Sequence, residues 1–422
     1  MTSVVEFETP VQQTWTATAP TVVRVALAGC GAVGSALLRE FASRRSALAD
    51  RIGIEVRVVS VLVRDPQRPR DAEFDRALLT CDVDEFLAAD ADVVIEAIGG
   101  LDPALRIAET TLGRGQPLVT ANKLLLALHG SRLAQLAQAN CTTLRYDAAV
   151  GGGVPILRVL DDALGAGGPT RVRGILNGTA NYVLTRIESG ASFDDALDQA
   201  RAAGFAEADA SRDLDGRDAA DKIALIAWAA FGAAPETLPV RRQSLLPEPS
   251  RYVALANRLG TSIRHVAECA IVDGEVVASV EPVLAPQDSA LARTRDEGNL
   301  AEVFAGWRAP LCASGPGAGG QPTAVALLSD LISTSGAPRR RALTRGAIDD
   351  ARGFRWAVEV RGGPSLLHRT VRCCGQVHTN DTASVSWTTV ACASPTEIGI
   401  LREALESAGA DPIVARYDEA CA

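Results

Sequence analysis

Lysine is almost missing from this chain of 422 residues: Lys123 and Lys222 are the only two, so forty of its forty-two basic side chains are arginine. Either cation serves on a solvated surface. Lys differs as a compact point charge that can release a proton when its surroundings lower its pKa, whereas Arg stays charged. The two survivors therefore mark places where a guanidinium fails; a drift toward Arg that happened to spare two positions is the alternative. Aromatic residues make up only 4%, net charge is −9, and no stripe of basic residues occurs, which argues against nucleic acid and anionic membrane surfaces as partners. No apolar run approaches the ~20 residues of a membrane span. Residues 1–20 lack the basic start and apolar stretch of a secretory signal and read as a loose tail. The nine cysteines include no C-x-x-C, and the adjacent Cys373 and Cys374 are their only close pair. Scattered, odd-numbered cysteines point to reduced thiols in a cytoplasmic protein. With 47% hydrophobic residues, the length suits two or three domains, each with its own core.

The apolar run Val22 to Ala28 leads straight into Gly29-Cys30-Gly31-Ala32-Val33-Gly34, and the helical pattern Ala36, Leu37, Leu38, Phe41 follows. Strand, glycine turn and helix form the setting that a dinucleotide-binding G-x-G-x-x-G needs. Gly29 permits the tight turn, Gly31 lets the backbone approach a pyrophosphate, and Gly34 lets helix pack on strand. A second strand, Ile54 to Val63, ends at Arg64-Asp65. A carboxylate at this tip accepts the ribose hydroxyls of NAD, and an Arg neutralises the extra phosphate of NADP. Both stand here, so NADP or NAD remains open, with Arg64 first in line; a solvated Arg64-Asp65-Pro66 turn is the plain reading. Asp92 to Ala97 and Leu118 to Thr120 read as further buried strands, opening onto Gly99-Gly100 and Ala121-Asn122-Lys123. Such loops lie beyond the carboxyl ends of a parallel sheet and face the nicotinamide, so Ala97 and Lys123 are cofactor-site candidates. Alternating strands and helices over 21–150 predict an α/β fold with a Rossmann-type parallel sheet.

Two more glycine-rich turns follow strands: Val150-Gly151-Gly152-Gly153-Val154-Pro155 and Asn177-Gly178-Thr179-Ala180-Asn181. Serial glycines bring backbone groups close to a ligand or ion, while Asn177 and Thr179 add oriented polar atoms; each could equally be a tight turn. Ser192 predicts an N-cap for a helix that runs to Ala203 and stops at Gly204. Glu207, Asp209, Asp213, Asp215 and Asp218 then crowd the approach to an apolar helix, Ile223 to Phe231. A helix starting near Gly216 makes Asp218 and Lys222 i,i+4 neighbours on one face. A Lys tuned by nearby carboxylates and by burial can exchange a proton with an oxygen whose carbon exchanges a hydride. A surface ion pair on an acidic loop is the alternative.

These segments, GCGAVG, VTANK, AAVGGGVPI, ILNGTANYVL, GFAEADASRDLDGRDAADK and GPGAGGQPTA, resemble those of homoserine dehydrogenase, over about Val22 to Ile332. The acidic segment ending in Lys222 is the most specific of them. The resemblance implies NAD(P)-dependent interconversion of L-homoserine and L-aspartate 4-semialdehyde. It implies that Gly29, Gly31, Ala32, Val33 and Gly34 bind the dinucleotide and that Lys123 lies near both cofactor and substrate. It further implies that Glu207 holds the substrate amino group, that Asp213 and Asp218 position substrate and lysine, and that Lys222 donates the proton. Asp147, Val150, Gly152 and Val154 resemble a loop that binds a monovalent cation, Na+, mostly through backbone carbonyls. Family members pair through the substrate domain, so a homo-oligomer, dimer or tetramer, is expected.

The implied organisation is a tail over 1–20 and a nucleotide domain over 21–150, completed by about 310–335. An α+β substrate and dimerisation domain would span 151–309, with an Arg-rich linker at 336–350. A small, degenerate ACT-like α+β domain would occupy 351–422, with strands at Trp356 to Val360 and Val385 to Val390 and a helix at Glu397 to Ala408. Departures from the family pattern are Asp147 for Glu, Ala210 for Pro and Ala180 for Thr. They keep open a relative that reduces another small amino-acid aldehyde in specialised metabolism. A non-catalytic nucleotide sensor is disfavoured, because both lysines and the carboxylate segment are intact.

Overall fold

Near-continuous runs of Val, Ile, Leu and Ala form six short strands in the first third of the chain, as expected of strands covered on both faces. They are β1 Thr21–Ala28, β2 Ile54–Leu62, β3 Leu79–Thr80, β4 Val93–Glu96, β5 Leu118–Thr120 and β6 Leu144–Arg145. All pairings are parallel, in the order β3-β2-β1-β4-β5-β6. The order reverses between β1 and β4, so the crevice for a ligand opens beyond their carboxyl ends, at Ala28 and Glu96. The computed structural model describes residues 19–334 apart from 73, 166, 307 and 308, and then 354–361, 377–382, 385–393, 405 and 411–420.

The chain returns to this sheet late. In the Gly320–Thr334 helix, Ala324, Leu327, Leu328 and Leu331 are buried in one core with Val25 and Leu27 of β1 and Leu37 and Phe41 of the Ala32–Ser43 helix. A late helix thus packs on the first sheet.

A second six-stranded sheet follows: β7 Arg171–Ile175, β8 Val240–Arg242, β9 Thr261–Val272, β10 Glu275–Pro286, β11 Gly298–Phe304 and β12 Leu311–Pro316. Its order is β12-β11-β7-β9-β10-β8, antiparallel except between β8 and β10. The Arg217–Phe231 helix buries Ile223, Leu225, Ile226 and Ala227 in a core with Val172, Ala267, Val280 and Val303. Leu126 of the Lys123–Ala139 helix joins that core, and Trp228 stacks on Tyr146 at 5.1 Å between centroids. Shared helices thus join the two sheets within one unit, 1–341.

The second unit, 342–422, contains β13 Phe354–Arg361, β14 Val377–Thr382, β15 Val385–Ala393 and β16 Asp411–Ala420. The sheet is antiparallel in the order β14-β15-β13-β16, the strand order of a βαββαβ ferredoxin-like unit. Both strands expected here are present. The expected helix at 397–408 (Leu405 excepted), the Arg-rich stretch 338–345 and residues 1–18 lie outside the described residues.

Candidate active site

The glycine turn sits at the switch point. Gly29 has φ +101, and a Cβ there would stand 2.5 Å from the Ala97 carbonyl oxygen; at Gly34 it would stand 2.0 Å from that of Gly29. At Gly31, by contrast, nothing lies within 4 Å of that position. Two glycines are thus forced by packing, and the third faces free space where a phosphate fits. Helix geometry leaves the first N–H groups of the Ala32–Ser43 helix without internal acceptors. Its first turn carries no acidic residue to repel an anion. The residues fit a dinucleotide. Gly34→Ala should push the helix off the turn and weaken binding of the reduced cofactor at least about tenfold, read by fluorescence titration; unchanged affinity would contradict this packing.

Two further loops converge beside the turn. Glu96, fully buried at the tip of β4, accepts from Ile98 N at 2.9 Å, Gly99 N at 3.3 Å, Thr120 Oγ1 at 2.5 Å and Asn122 Nδ2 at 3.4 Å. Asn122 also donates to the Gly100 carbonyl at 2.7 Å, and its Oδ1 caps the Lys123–Ala139 helix through Leu125 N at 3.1 Å. One carboxylate thereby fixes both loops and sets Lys123 at the start of its helix.

Lys222 arrives from the other side. Gly216, at φ +82, starts the Arg217–Phe231 helix, which sets Lys222 Nζ 3.0 Å from Asp218 Oδ2 in the i,i+4 pair. Lys222 Nζ also donates to the Leu176 carbonyl at 2.8 Å. An ammonium has three N–H donors, so one is left for a further acceptor. Lys123 Nζ pairs with Asp218 Oδ1 and lies 3.8 Å from Asp221 Oδ2. Both lysines therefore share a single carboxylate. Both line one cleft of about 350 Å3 together with Val33, Ala97, Gly99, Ala121, Gly152 and Gly317.

Asn177 Nδ2 donates to Asp213 Oδ1 at 2.7 Å and to Asp218 Oδ2 at 2.9 Å, and its Oδ1 caps the Gly178–Glu188 helix through Ala180 N at 2.8 Å. Burial opposes ionisation of Asp218, but Lys222 and Lys123 outweigh it and hold the carboxyl well below the usual carboxylate range. Asp213 is shifted upward, chiefly by burial, against the hydrogen bond from Asn177. The hydroxyl of Thr179 donates to the Phe205 carbonyl and so fixes the acidic segment.

Two expected site residues stand apart. Glu207 is exposed, makes no hydrogen bond to a described residue and does not line the cleft. Its turn is anchored through its neighbour Phe205, which packs on Tyr182 at 5.2 Å, and Glu207 is left facing solvent. Arg64 is likewise exposed at the tip of β2. Asp221, the Leu176 carbonyl and the Gly317–Gly319 turn join the site without having been singled out from sequence. Asp221 was legible as the next carboxylate on the Lys222 helix; a backbone carbonyl leaves no sequence signal.

The Asp147–Val150 turn is buried. Burial pushes the Asp147 carboxyl up to about 6, and no described cation lies within ion-pair distance of it. Among the described residues no cluster of three or more His, Cys, Asp or Glu suits a metal ion. A second buried carboxylate, Asp330, accepts from Asp147 N at 3.0 Å through its Oδ2, and oxygen donors alone suit a hard cation better than a soft transition metal. Val150 and Gly152 also line the cleft, whereas the Val154 carbonyl accepts from Ile156 N at 2.8 Å.

Beneath Gly216 lies His265 of β9, whose Cε1 would stand 3.0 Å from a Cβ added at that glycine. Its Nε2 bonds to the Gln243 carbonyl at 2.9 Å, and burial lowers its pKa. A lowered folded-state pKa means stability present above the unfolded value of about 6.5 and lost as pH falls through the folded one. The melting temperature should therefore drop between pH ~7 and ~5, and His265→Gln should flatten that drop. An identical slope in the variant would show that another group titrates.

A family model described as the NAD binding domain of homoserine dehydrogenase matches residues 29–147, and one described as homoserine dehydrogenase matches 155–332. The homoserine dehydrogenase of Bacillus subtilis is 33% identical over 313 residues, covering 74% of this chain and 72% of that protein. That of Mycobacterium leprae is 37% identical over 318 residues, covering 74% and 71%. The crystal structure of a homoserine dehydrogenase from Thiobacillus denitrificans superposes with a TM-score of 0.66 at 26% identity, over 95% of this chain and 99% of that one.

Proposed function

The chain belongs to the homoserine dehydrogenase family, and from that membership we propose that it interconverts L-homoserine and L-aspartate 4-semialdehyde with a nicotinamide dinucleotide. The observation that carries the reading is the pairing of Lys123 and Lys222 on Asp218, inside a cleft that reaches Val33 of the glycine turn. The nicotinamide, when bound, supplies the hydride exchange at the substrate carbon. Lys222, held by Asp218 and the Leu176 carbonyl, gives its remaining proton to the aldehyde oxygen in reduction and takes it back in oxidation. Lys123 stabilises the developing alkoxide electrostatically. Asn177 orients the Asp213 and Asp218 carboxylates, and Asp213, the one of the two not paired with a lysine, would accept the substrate ammonium. Glu207 would be the second carboxylate for the ammonium, as family membership suggests.

The proposal extends to NADP as the favoured cofactor, because Arg64 is exposed at the β2 tip while the Asp65 carboxylate accepts from its own turn at Gln67 N, 2.8 Å away. Asp147, with carbonyls of Val150, Gly152 and Val154, would hold Na+. Exposed Ile271, Val272, Val277 and Leu284 on β9 and β10 support pairing of two copies through the second sheet. Residues 21–150 with 310–335 would bind the cofactor and 151–309 the substrate, while 351–422 would form a degenerate ACT-like module. Among the described residues no helix is long and apolar enough to cross a membrane; a cytoplasmic setting is part of the proposal.

Reduced cofactor should appear when homoserine is added with NADP+ or NAD+, as read by its absorbance. A clear preference for a different amino-acid aldehyde in the reverse direction would replace this substrate assignment.

A further inference from the structure

The loop after β2 is held in a curl by one side chain. The Arg70 guanidinium donates to the carbonyls of Asp65 at 2.5 Å, Arg68 at 2.7 Å and Pro66 at 3.4 Å. Asp65 Oδ1 accepts from Gln67 N at 2.8 Å, a local turn that occupies the carboxylate. At the far end of the loop, Arg39 of the Ala32–Ser43 helix pairs with Asp71 at 2.7 Å. The near end starts beside the glycine turn, where Gly29 N donates to the Leu62 carbonyl at 2.9 Å. Between these anchors the side chains of Arg64 and Arg68 are exposed, and neither guanidinium has a partner among the described residues.

We infer that Arg70 is a positioning residue that sets the cofactor preference, by curling residues 65–70 so that Asp65 faces its own turn while Arg64 and Arg68 face a 2′-phosphate. This rests on the nicotinamide-dinucleotide reading above. An unphosphorylated ribose is chosen by a carboxylate free to accept its hydroxyls, and here that carboxylate is already engaged. A phosphate monoester is chosen by guanidiniums that are free and able to bind two oxygens at once. Arg70 itself is consumed by carbonyls and does not touch the cofactor. Its planar fork of five donors is what lets one side chain gather three carbonyls; a Lys point charge has no such geometry.

The test compares wild type with Arg70→Ala and, in case the alanine variant does not fold, Arg70→Lys. Binding of 2′,5′-ADP and of 5′-AMP is measured on the full chain, alongside KM for NADP+ and NAD+. Loss of one charge-assisted arrangement should weaken 2′,5′-ADP and raise KM for NADP+ about tenfold, with 5′-AMP and NAD+ changed less than about twofold. Equal weakening of both nucleotides, or no change in either, overturns the role of Arg70. A wild type that binds the nucleotides but does not oxidise homoserine would instead sink the substrate reading and leave this inference standing.

Discussion

Lys222→Arg is expected to lower turnover about a thousandfold, in the range that a lost general acid or base costs, with KM for homoserine changed only severalfold. The substitution keeps the positive charge and can keep the Asp218 pair, so folding and cofactor binding should survive. What it removes is the ability to give up a proton, because a guanidinium stays protonated. The variant's melting temperature and its affinity for reduced cofactor control for structural damage. Near-normal turnover would show that the ammonium at 222 is a structural cation only.

Asp218→Ala should do damage of a different kind. Asp218 Oδ1 holds Lys123, its Oδ2 holds Lys222 at 3.0 Å, and Asn177 donates to it at 2.9 Å. Removing it takes away the carboxylate that two largely buried ammoniums share, leaving Lys123 only the longer contact to Asp221 at 3.8 Å. Breaking a buried pair by deleting one partner costs about 3–5 kcal/mol, and partial exposure here reduces that to about 2–4 kcal/mol. Turnover should fall about a hundredfold or more, because the proton donor loses its position. The pH dependence has a definite sign. A carboxylate with a depressed folded-state pKa stabilises above its unfolded value of about 3.9 and stops doing so as pH falls. Wild type should therefore lose melting temperature below pH ~4.5, and Asp218→Ala should lose much of that extra acid sensitivity while being less stable at neutral pH. A variant as stable and as active as wild type would mean that the network is ornamental.

The parallel sheet was legible because its strands are short apolar runs, each followed by a glycine or polar loop, and β5 falls at Leu118–Thr120 as expected. The lysine pair was legible because its chemistry could not be supplied by the arginines used elsewhere. The second sheet was not. Its long hairpin, Thr261–Val272 with Glu275–Pro286, carries Arg264 and His265 in the middle of β9, and charged residues normally mark a solvent-facing position. Arg264 is fully buried here. Glu188 pairs with it at 2.8 Å, and the carbonyls of Ala292 and Thr294 accept from it at 2.7 and 3.1 Å, from elements far apart in sequence. Such compensation is a tertiary fact that local periodicity does not contain. Glu207 shows the converse limit: a motif fixes a residue's neighbours in sequence, and the packing of Phe205 decides which way the turn faces.

The central claim is geometric: one cleft beside the glycine turn brings both ammoniums to the oxygen that changes its bond to hydrogen. A crystal structure of the ternary complex with oxidised cofactor and homoserine tests it most directly. The account predicts Lys222 Nζ within about 3 Å of the homoserine side-chain hydroxyl, with Lys123 on the same side of the nicotinamide. A hydroxyl turned away from both lysines, toward solvent or toward another side chain, would contradict it.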